Sequence, residues 1–439
     1  MRRLALLMAL VACSGPAGLS GSPESRTFVH RQGSSGSTPI RHVIIIIQEN
    51  RSVDNLFQFL PGANTQSWGY NSKGKKINLR AVGMRAQFDF NHQHHDFLTQ
   101  YHNGGMNGFD LIGCAGKCDH ATPYAFVPQR EVQPYYIMAE QYAFADDMFQ
   151  SNEGPTFPAH QYLISGTSTI SRNSVFVVDD NPGNRSDTKN GGCNSQPGST
   201  VPSININTGA AGPRVFPCFK RQTLMGLIRD RSYTWRYFQE TPGSGLKYAP
   251  DAIEQIFRDR HYDDNVKWPS SKILTTIESG DLPAVAWVTP ARSDSDHPRD
   301  NKGKGPDWVA SIVNAIGESQ YWDNTAIFIT WDDWGGWYDH VQPQRYNAYE
   351  LGFRVPLIVV SAYTPAGYVS HKQHEFGSIL KYVEENFGLG SLGTTDQRAD
   401  NLSDCFDYSM IPRVFVPIPA SKNAEYFIHL KPETTPLGD

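Results

Sequence analysis

The chain has 439 residues, with 39 Lys or Arg against 44 Asp or Glu, and therefore a formal net charge of −5. Hydrophobic residues make up 39% and charged residues 19%, a globular composition that excludes disordered and fibrous proteins. The acidic balance argues against a nucleic-acid partner held by a broad basic surface. No apolar run approaches the roughly 20 residues of a transmembrane span.

The first 20 residues have the pattern of a bacterial export signal. Two arginines precede an apolar stretch from Leu4 to Ala12, and small residues follow it. Ordinary signal cleavage near Ser20 is one interpretation. The other is a lipobox, Leu-Val-Ala-Cys, which ends at Cys13 and would leave a lipid anchor on that residue. Both interpretations predict an exported protein, periplasmic or secreted.

The composition after the signal predicts a tether and then one large domain. Residues 21–38 are rich in Ser, Gly and Pro, as flexible tethers are. Residues 39–439 show no break in composition that would mark a second domain, so we predict a single domain. Residues 181–217 are dense in Gly, Asn, Ser and Thr, and this density predicts a long insertion.

Export would place the cysteines in an oxidising compartment, where paired cysteines form disulfides. Cys114 and Cys118 lie four residues apart in a glycine-containing loop, and Cys193 and Cys218 bracket a Gly-, Pro- and Asn-rich stretch. We predict a disulfide for each pair and a free, buried thiol at Cys405. A zinc site in the first loop would need more Cys or His at close spacing.

Four apolar, β-branched segments predict strands that are buried on both faces, as in a parallel sheet covered by helices. They are residues 43–47, 284–288, 326–330 and 355–360. Helical periodicity follows at residues 308–318 and 377–387. Strands that alternate with helices predict an α/β fold, a three-layer sandwich around a mostly parallel central sheet.

Polar residues follow two of these strands directly. Glu49 and Asn50 come after the first strand, and Asp332 and Asp333 come after the strand at 326–330. The carboxyl edge of such a sheet is where α/β proteins place their sites, and these side chains offer hard oxygen ligands for a divalent cation. The alternative is that the side chains cap helices or bind loop amides.

Thr156 stands in the sequence Gly-Pro-Thr-Phe-Pro-Ala-His, where Gly-Pro predicts a turn and Pro158 suits the first turn of a helix. The positive potential at a helix start would favour a threonine alkoxide beside a metal. The simpler interpretation is an ordinary helix N-cap.

Several blocks of sequence carry a resemblance to a known family. They are ENRSVDNLFQFLPGA, HQHHDFLTQYHNGGMNGFD, GPTFPAHQYLISGT, SDHP, TAIFITWDDWGGWYDHVQP, ELGFRVPLIVVSAYTPAGYVSHKQHEFGSIL and LGTTDQRADNL. In this order, over about residues 40–410, they resemble the bacterial phosphoesterase family of phosphatidylcholine-type phospholipases C and acid phosphatases. That family is similar in fold to alkaline phosphatase.

The resemblance implies a role for individual residues. Glu49, Asn50, Asp332 and Asp333 would hold a metal, and Thr156 would be both a metal ligand and the nucleophile. Three histidines also match family positions: His92 and His297 would bind phosphate or protonate the leaving group, and His340 would support the aspartate pair or pack against Trp337.

The chemistry implied by the resemblance is metal-dependent hydrolysis of phosphate esters through a phospho-threonine, in a phospholipase C-like diesterase. An acid phosphatase acting on monoesters is one alternative, and a non-catalytic surface lipoprotein is another. Oxygen ligands suit Ca²⁺, Mg²⁺ or Mn²⁺. The expected partner is a phosphate ester, with a phospholipid head group as one form of it.

Overall fold

An eight-stranded sheet runs through the centre of the protein. The computed structural model describes residues 38–183, 190–299 and 301–434, so the predicted export signal and most of the predicted tether lie outside the described residues. The strands of the sheet are β1 (His42–Gln48), β2 (Ala143–Ala145), β3 (Trp235–Phe238), β4 (Val266–Lys267), β5 (Val285–Val288), β6 (Thr325–Trp331), β7 (Leu357–Ser361) and β8 (Tyr368–Ser370).

The sheet is mostly parallel, as predicted. Its strand order is β4-β3-β5-β1-β6-β7-β2-β8, and only β7 runs antiparallel to its neighbours. β1 lies between β5 and β6, and Ile45 is in register with Trp287 on one side and Phe328 on the other. The five residues Val43–Ile47 are fully buried, which explains why β1 is apolar on both faces.

Helices cover both faces of the sheet. The helices are α1 (Val53–Leu56), α2 (His94–Tyr101), α3 (Gln133–Gln141), α4 (Thr156–Ser165), α5 (Leu224–Asp230), α6 (Glu254–Phe257), α7 (Tyr262–Asn265), α8 (Lys272–Glu278), α9 (Gly305–Gly317), α10 (Phe376–Phe387), α11 (Thr395–Arg398) and α12 (Ala424–Ile428).

The three-layer arrangement can be followed through the large side chains of the sheet. Trp287 donates its indole N–H to the carbonyl of Leu163 in α4, and Phe328, on the same face, packs against Tyr382 in α10. Trp331 lies three residues after Phe328 and therefore on the opposite face. It packs against Tyr135 in α3. The predicted α/β sandwich is confirmed.

The ends of the predicted elements differ from the structure by a few residues. The strand predicted at 355–360 begins at Leu357 because Pro356 has no N–H to donate to the ladder. The helices predicted at 308–318 and 377–387 are α9 and α10. Within the described ranges, no helix has both the length and the apolar character to cross a membrane.

Both predicted disulfides are present, and Cys405 is free and buried. Cys193–Cys218 closes the stretch predicted as an insertion, of which residues 184–189 lie outside the described part of the chain. A two-stranded ribbon, Phe176–Val178 with Ser203–Asn205, orders part of that stretch.

Candidate active site

The residues that follow β1 and β6 lie side by side at the carboxyl edge of the sheet. Gln48 and Trp331 are register partners at the ends of these parallel strands, so the chain positions after them meet. The backbone N–H of Asn50 donates a 3.0 Å hydrogen bond to Oδ1 of Asp332. Glu49, Asn50, Asp332 and Asp333 are all fully buried.

A tight turn after β6 fixes this arrangement. Asn50 has a left-handed backbone, with φ of 59°, and Gly335 packs directly on it. A Cβ on Gly335 would lie 2.6 Å from Cβ of Asn50, which explains the glycine. The N–H of Gly335 donates a 2.7 Å hydrogen bond to Oδ1 of Asp333 and so orients that carboxylate.

Thr156 enters the cluster from the start of α4. Pro155 occupies the N-cap position and Thr156 is the first residue of the helix, so its hydroxyl is not the cap. Thr156 Oγ1 lies 3.5 Å from Oδ2 of Asp333. All ten residues of α4 are buried, which holds the hydroxyl in place beside the carboxylates.

His92 also reaches the cluster. Its Nδ1 lies 2.7 Å from the carbonyl of Phe90 and donates to it, so Nε2 is the nitrogen without a proton in the neutral ring. Nε2 accepts a hydrogen bond of 3.0 Å from Nδ2 of Asn50 and lies 3.8 Å from Oδ2 of Asp333.

His297 is held in a similar way in the loop after β5. Its Nδ1 donates to the carbonyl of Pro298 at 2.7 Å, and its Nε2 lies 4.0 Å from Oδ2 of Asp89. The ring is buried and lies near Glu49, where burial raises the pKa of the carboxyl and the imidazole of His297 slightly opposes that rise. In both histidines, therefore, Nδ1 is bound to a backbone carbonyl and Nε2 faces the side chains of the site.

Two residues that the sequence did not identify complete the cluster. His160 lies one helical turn after Thr156, and its Nε2 is 3.6 Å from Oδ2 of Asp332 and 3.9 Å from Oε1 of Glu49. Lys247 Nζ is 3.6 Å from the same Glu49 oxygen and donates to the carbonyl of Pro290 at 2.7 Å. The four-residue spacing from Thr156 could have revealed His160; Lys247 comes from a loop with no motif.

A family model described as the phosphoesterase family matches residues 40–390. The match covers most of the chain and includes every residue of the cluster. The chain belongs to the phosphoesterase family. The resemblance that the sequence blocks indicated is thereby confirmed.

The relatives of this phosphoesterase include phospholipases C. Hemolytic phospholipase C of Pseudomonas aeruginosa is 22% identical over 421 residues, which are 84% of this chain and 56% of that protein. Non-specific phospholipase C3 of Arabidopsis thaliana is 21% identical over 444 residues, 88% of this chain and 77% of that one. The chain thus spans little more than half the length of the Pseudomonas relative.

One solved structure similar to this phosphoesterase is that of a protein in the alkaline phosphatase superfamily from Vibrio parahaemolyticus. It aligns with 84% of this chain and 75% of its own, with 8% identity and a TM-score of 0.38. From the family match, the enzyme class predicted from the sequence, a phosphoric ester hydrolase, is confirmed.

The electrostatics of the phosphoesterase cluster call for a cation. Both carboxylate oxygens of Glu49, Oδ1 of Asn50 and Oδ2 of Asp332 are buried without a hydrogen-bond partner. Burial raises the pKa of Glu49 to about 7, Lys247 opposes the rise, and Asp332 adds to it. Buried oxygens without partners are costly, and a divalent cation would satisfy them together. The residues present therefore fit the metal that the family implies.

His340 belongs to a different cluster. Its Nδ1 lies 2.8 Å from Oδ2 of Asp54, and its Nε2 lies 3.1 Å from the side-chain oxygen of Asn64. Arg354 bridges this group through Asp339, with Nε to Oδ1 at 2.8 Å. The structure thus gives His340 a place beside Asp54, in a buried ion-pair network that supports the loop after β6.

Proposed function

We propose that this phosphoesterase hydrolyses phosphate esters at a metal site formed by the residues that follow β1 and β6, with Thr156 as the nucleophile. The metal ligands would be Glu49, Asn50, Thr156, Asp332 and Asp333. The observation that carries the proposal is the position of Thr156 Oγ1. Thr156 starts a buried helix, and its Oγ1 lies 3.5 Å from Oδ2 of Asp333, in the cluster in which oxygens of Glu49 and Asp332 have no hydrogen-bond partner.

The bound cation would supply positive charge for the phosphate oxygens and would favour the ionised form of the threonine hydroxyl. Thr156 Oγ attacks phosphorus, the Oγ–P bond forms, and the bond from phosphorus to the alcohol oxygen breaks. The departing oxygen takes a proton from Nε2 of a doubly protonated histidine, His297 or His92, whose Nδ1 keeps its own proton on a backbone carbonyl, and the hydroxyl proton of Thr156 passes to solvent. Water then attacks the phospho-threonine and releases the phosphate product, which restores Thr156.

The relatives favour a diester as the substrate. Both of those described above are named as phospholipases C. We therefore propose a phospholipase C-like reaction, in which a phospholipid is cut between the glycerol oxygen and phosphorus, and the head group leaves as a phosphomonoester. Export through the signal at the amino terminus would bring the enzyme to extracellular or periplasmic lipid.

The experiment that tests this function is paired hydrolysis of p-nitrophenyl phosphorylcholine and p-nitrophenyl phosphate, from pH 5 to pH 8, with and without a chelator. We expect the choline diester to be hydrolysed and the activity to disappear on chelation. Hydrolysis of the monoester alone, strongest at low pH, would indicate an acid phosphatase instead. No hydrolysis of either ester after metal is restored would contradict an enzymatic role.

A further inference from the structure

The histidine one turn into α4 has a ring nitrogen with no described hydrogen-bond partner. His160 is fully buried, and its Nε2 is among the buried atoms without a hydrogen bond. The same nitrogen faces Oδ2 of Asp332 and Oε1 of Glu49. A buried imidazole nitrogen without a partner is costly unless something that the protein itself does not supply binds to it.

The other ring nitrogen of His160 fixes the tautomer. Tyr237 uses its hydroxyl hydrogen to bind the carbonyl of Lys247 at 2.6 Å, so its oxygen is left as an acceptor. Nδ1 of His160 lies 3.4 Å from that oxygen, a position that favours a proton on Nδ1. With the proton on Nδ1, the lone pair of Nε2 faces the two carboxylates. This is how proteins orient a metal-binding histidine.

The separations within the group suit a shared cation better than direct hydrogen bonds. Nε2 is 3.6 Å from the Asp332 oxygen and 3.9 Å from the Glu49 oxygen. Hydrogen bonds between such atoms are about 2.7–3.2 Å long. Metal bonds to imidazole nitrogen and carboxylate oxygen are about 2.0–2.2 Å each, so two ligands of one ion can lie up to about 4.2 Å apart.

The charge of the group also matches a divalent ion. Glu49, Asp332 and Asp333 bring three carboxylates into a fully buried space, and Lys247 brings one ammonium group. When all four are ionised, two negative charges remain. A divalent cation would neutralise the cluster, which buried charge requires.

We infer that His160 is a nitrogen ligand of the catalytic metal and that it makes the site selective for a transition ion. An imidazole beside carboxylates suits Mn²⁺, Fe²⁺, Co²⁺ or Zn²⁺, whereas Ca²⁺ and Mg²⁺ prefer oxygen ligands alone. This inference rests on the metal site of the proposed function. It shifts the expected metal from Ca²⁺ and Mg²⁺ towards transition ions such as Mn²⁺, because the sequence indicated oxygen ligands only.

The test uses the mature protein, stripped of metal and loaded with Co²⁺. An imidazole bound to Co²⁺ through Nε2 gives a strongly shifted proton signal from its Nδ1–H, which exchanges in D₂O. We expect such a signal in the wild-type protein and its loss in His160→Gln. His94→Gln is the matched control, because His94 binds the backbone carbonyl of Glu153 at 2.9 Å and lies outside the cluster. That control should keep the signal.

Calorimetric titration with Co²⁺ and with Ca²⁺ separates ligation from damage to the fold. We expect His160→Gln to weaken Co²⁺ binding at least about tenfold and Ca²⁺ binding far less. Equal loss for both ions, or a shifted signal that survives in His160→Gln, would overturn the inference. If that variant does not fold, the absence of any shifted exchangeable signal in wild-type protein would overturn it as well.

These outcomes are distinct from failure of the proposed function. A protein that binds Co²⁺ through His160 and hydrolyses no phosphate ester would contradict the function and leave the ligand assignment standing. If the wild-type protein hydrolyses phosphate esters and His160→Gln binds Co²⁺ and Ca²⁺ with the wild-type preference, the proposed function would stand and the ligand assignment would be wrong.

Discussion

The backbone N–H of Asn50 donates a 3.0 Å hydrogen bond to Oδ1 of Asp332 and so joins the chain after β1 to the chain after β6. The N–H of Asp333 donates to the same oxygen at 2.8 Å. One oxygen of Asp332 is thus fixed by the backbone, and the other, Oδ2, is left in the cluster without a partner. The site is therefore organised by the sheet before any ligand arrives.

Thr156→Ala is expected to abolish turnover, because no other hydroxyl of α4 begins the helix beside Asp333. Loss of a nucleophile lowers kcat by at least about 10,000-fold. Thr156→Ser, which keeps the hydroxyl, should retain activity. The measurement is kcat on p-nitrophenyl phosphorylcholine together with metal content. Thr99→Ala is the control: this half-buried threonine donates its hydroxyl hydrogen to the carbonyl of His95, outside the cluster, and its replacement removes the same atoms without an expected change in kcat. Turnover by Thr156→Ala would rule out the covalent mechanism.

His297 and His92 are expected to differ in their dependence on the leaving group. Nε2 of His92 accepts a hydrogen bond from Asn50, so we predict that His297 is the proton donor and His92 positions Asn50. His297→Asn should slow hydrolysis of phosphatidylcholine by about 100-fold or more, with little effect on p-nitrophenyl phosphorylcholine, whose leaving group needs no proton. His92→Asn should slow both substrates equally. If His92→Asn slows only phosphatidylcholine hydrolysis and His297→Asn slows both substrates equally, then His92 is the proton donor and His297 has the positioning role.

Gly335→Ala is expected to disrupt the site through a backbone clash. The added Cβ would lie 2.6 Å from both Cβ and the carbonyl oxygen of Asn50, and must displace that residue. We predict that the metal affinity of Gly335→Ala is lower than that of the wild type by more than about tenfold. Losses of this size are typical when the groups that orient metal ligands are disturbed. Gly74→Ala is the control. Gly335 and Gly74 both have a positive φ, 60° and 72°, but nothing lies within 4 Å of a Cβ added to Gly74. Equal metal affinity in the two variants would refute the clash.

The two disulfides are expected to contribute unequally to stability. Cys193–Cys218 spans 25 residues and Cys114–Cys118 only four, and the longer loop restricts the unfolded chain more. Replacing Cys193 and Cys218 by serine should lower the free energy of unfolding by about 3 kcal/mol. Replacing Cys114 and Cys118 by serine should lower it by about 2 kcal/mol or less. Urea denaturation of both double variants measures the difference. A larger loss from the short loop would contradict the loop-entropy argument.

Glu384 is expected to make the wild-type protein less stable as the pH rises. Burial, with Asp396 nearby, raises the pKa of Glu384 from 4.5 to about 8. The folded state therefore holds a proton that the unfolded chain releases near pH 4.5, so the stability that this group contributes falls between pH 4.5 and pH 8.

Glu384→Gln should remove this dependence, because the amide oxygen can still accept from the N–H of Leu392, as the carboxylate does at 2.9 Å. We predict that Tm of the variant exceeds that of the wild type by about 2 °C at pH 8 and matches it at pH 5. Glu385→Gln, at the exposed neighbouring position, is the control. A constant difference in Tm across this range would show that the proton is not involved.

The central strands of the fold could be predicted from the sequence because they are apolar on both faces. Val43–Ile47 has no polar residue to suggest another structure, and the strand at 326–330 lies within β6. The strands at the two sides of the sheet, such as β2 at Ala143–Ala145 and β4 at Val266–Lys267, are two or three residues long. Segments of that length have no measurable periodicity, and pairing with a neighbouring strand defines them.

The strand-end residues of the site were predictable because register brings the ends of parallel strands together. Glu49 and Asp332 needed only the assignment of β1 and β6. Lys247 could not be predicted, since a loop folded over the sheet edge places its ammonium group beside Glu49. His340 follows the aspartate pair closely in sequence, but the turn at Gly335 and Gly336 directs the chain away, and the ring reaches Asp54.

The central position of β1 has a consequence for how the chain is made. The residues of β1 lie near the start of the sequence, and those of its neighbours β5 and β6 come roughly 240 and 280 residues later. At a synthesis rate of about 5–20 residues per second, a ribosome needs roughly 15–60 s to reach β6 after β1 has been made. Until β5 emerges, this isoleucine-rich segment has no strand beside it, and until β6 emerges one of its edges stays unpaired and prone to aggregate. A chain cut before residue 325 should therefore be insoluble, because one edge of β1 would have no strand to pair with.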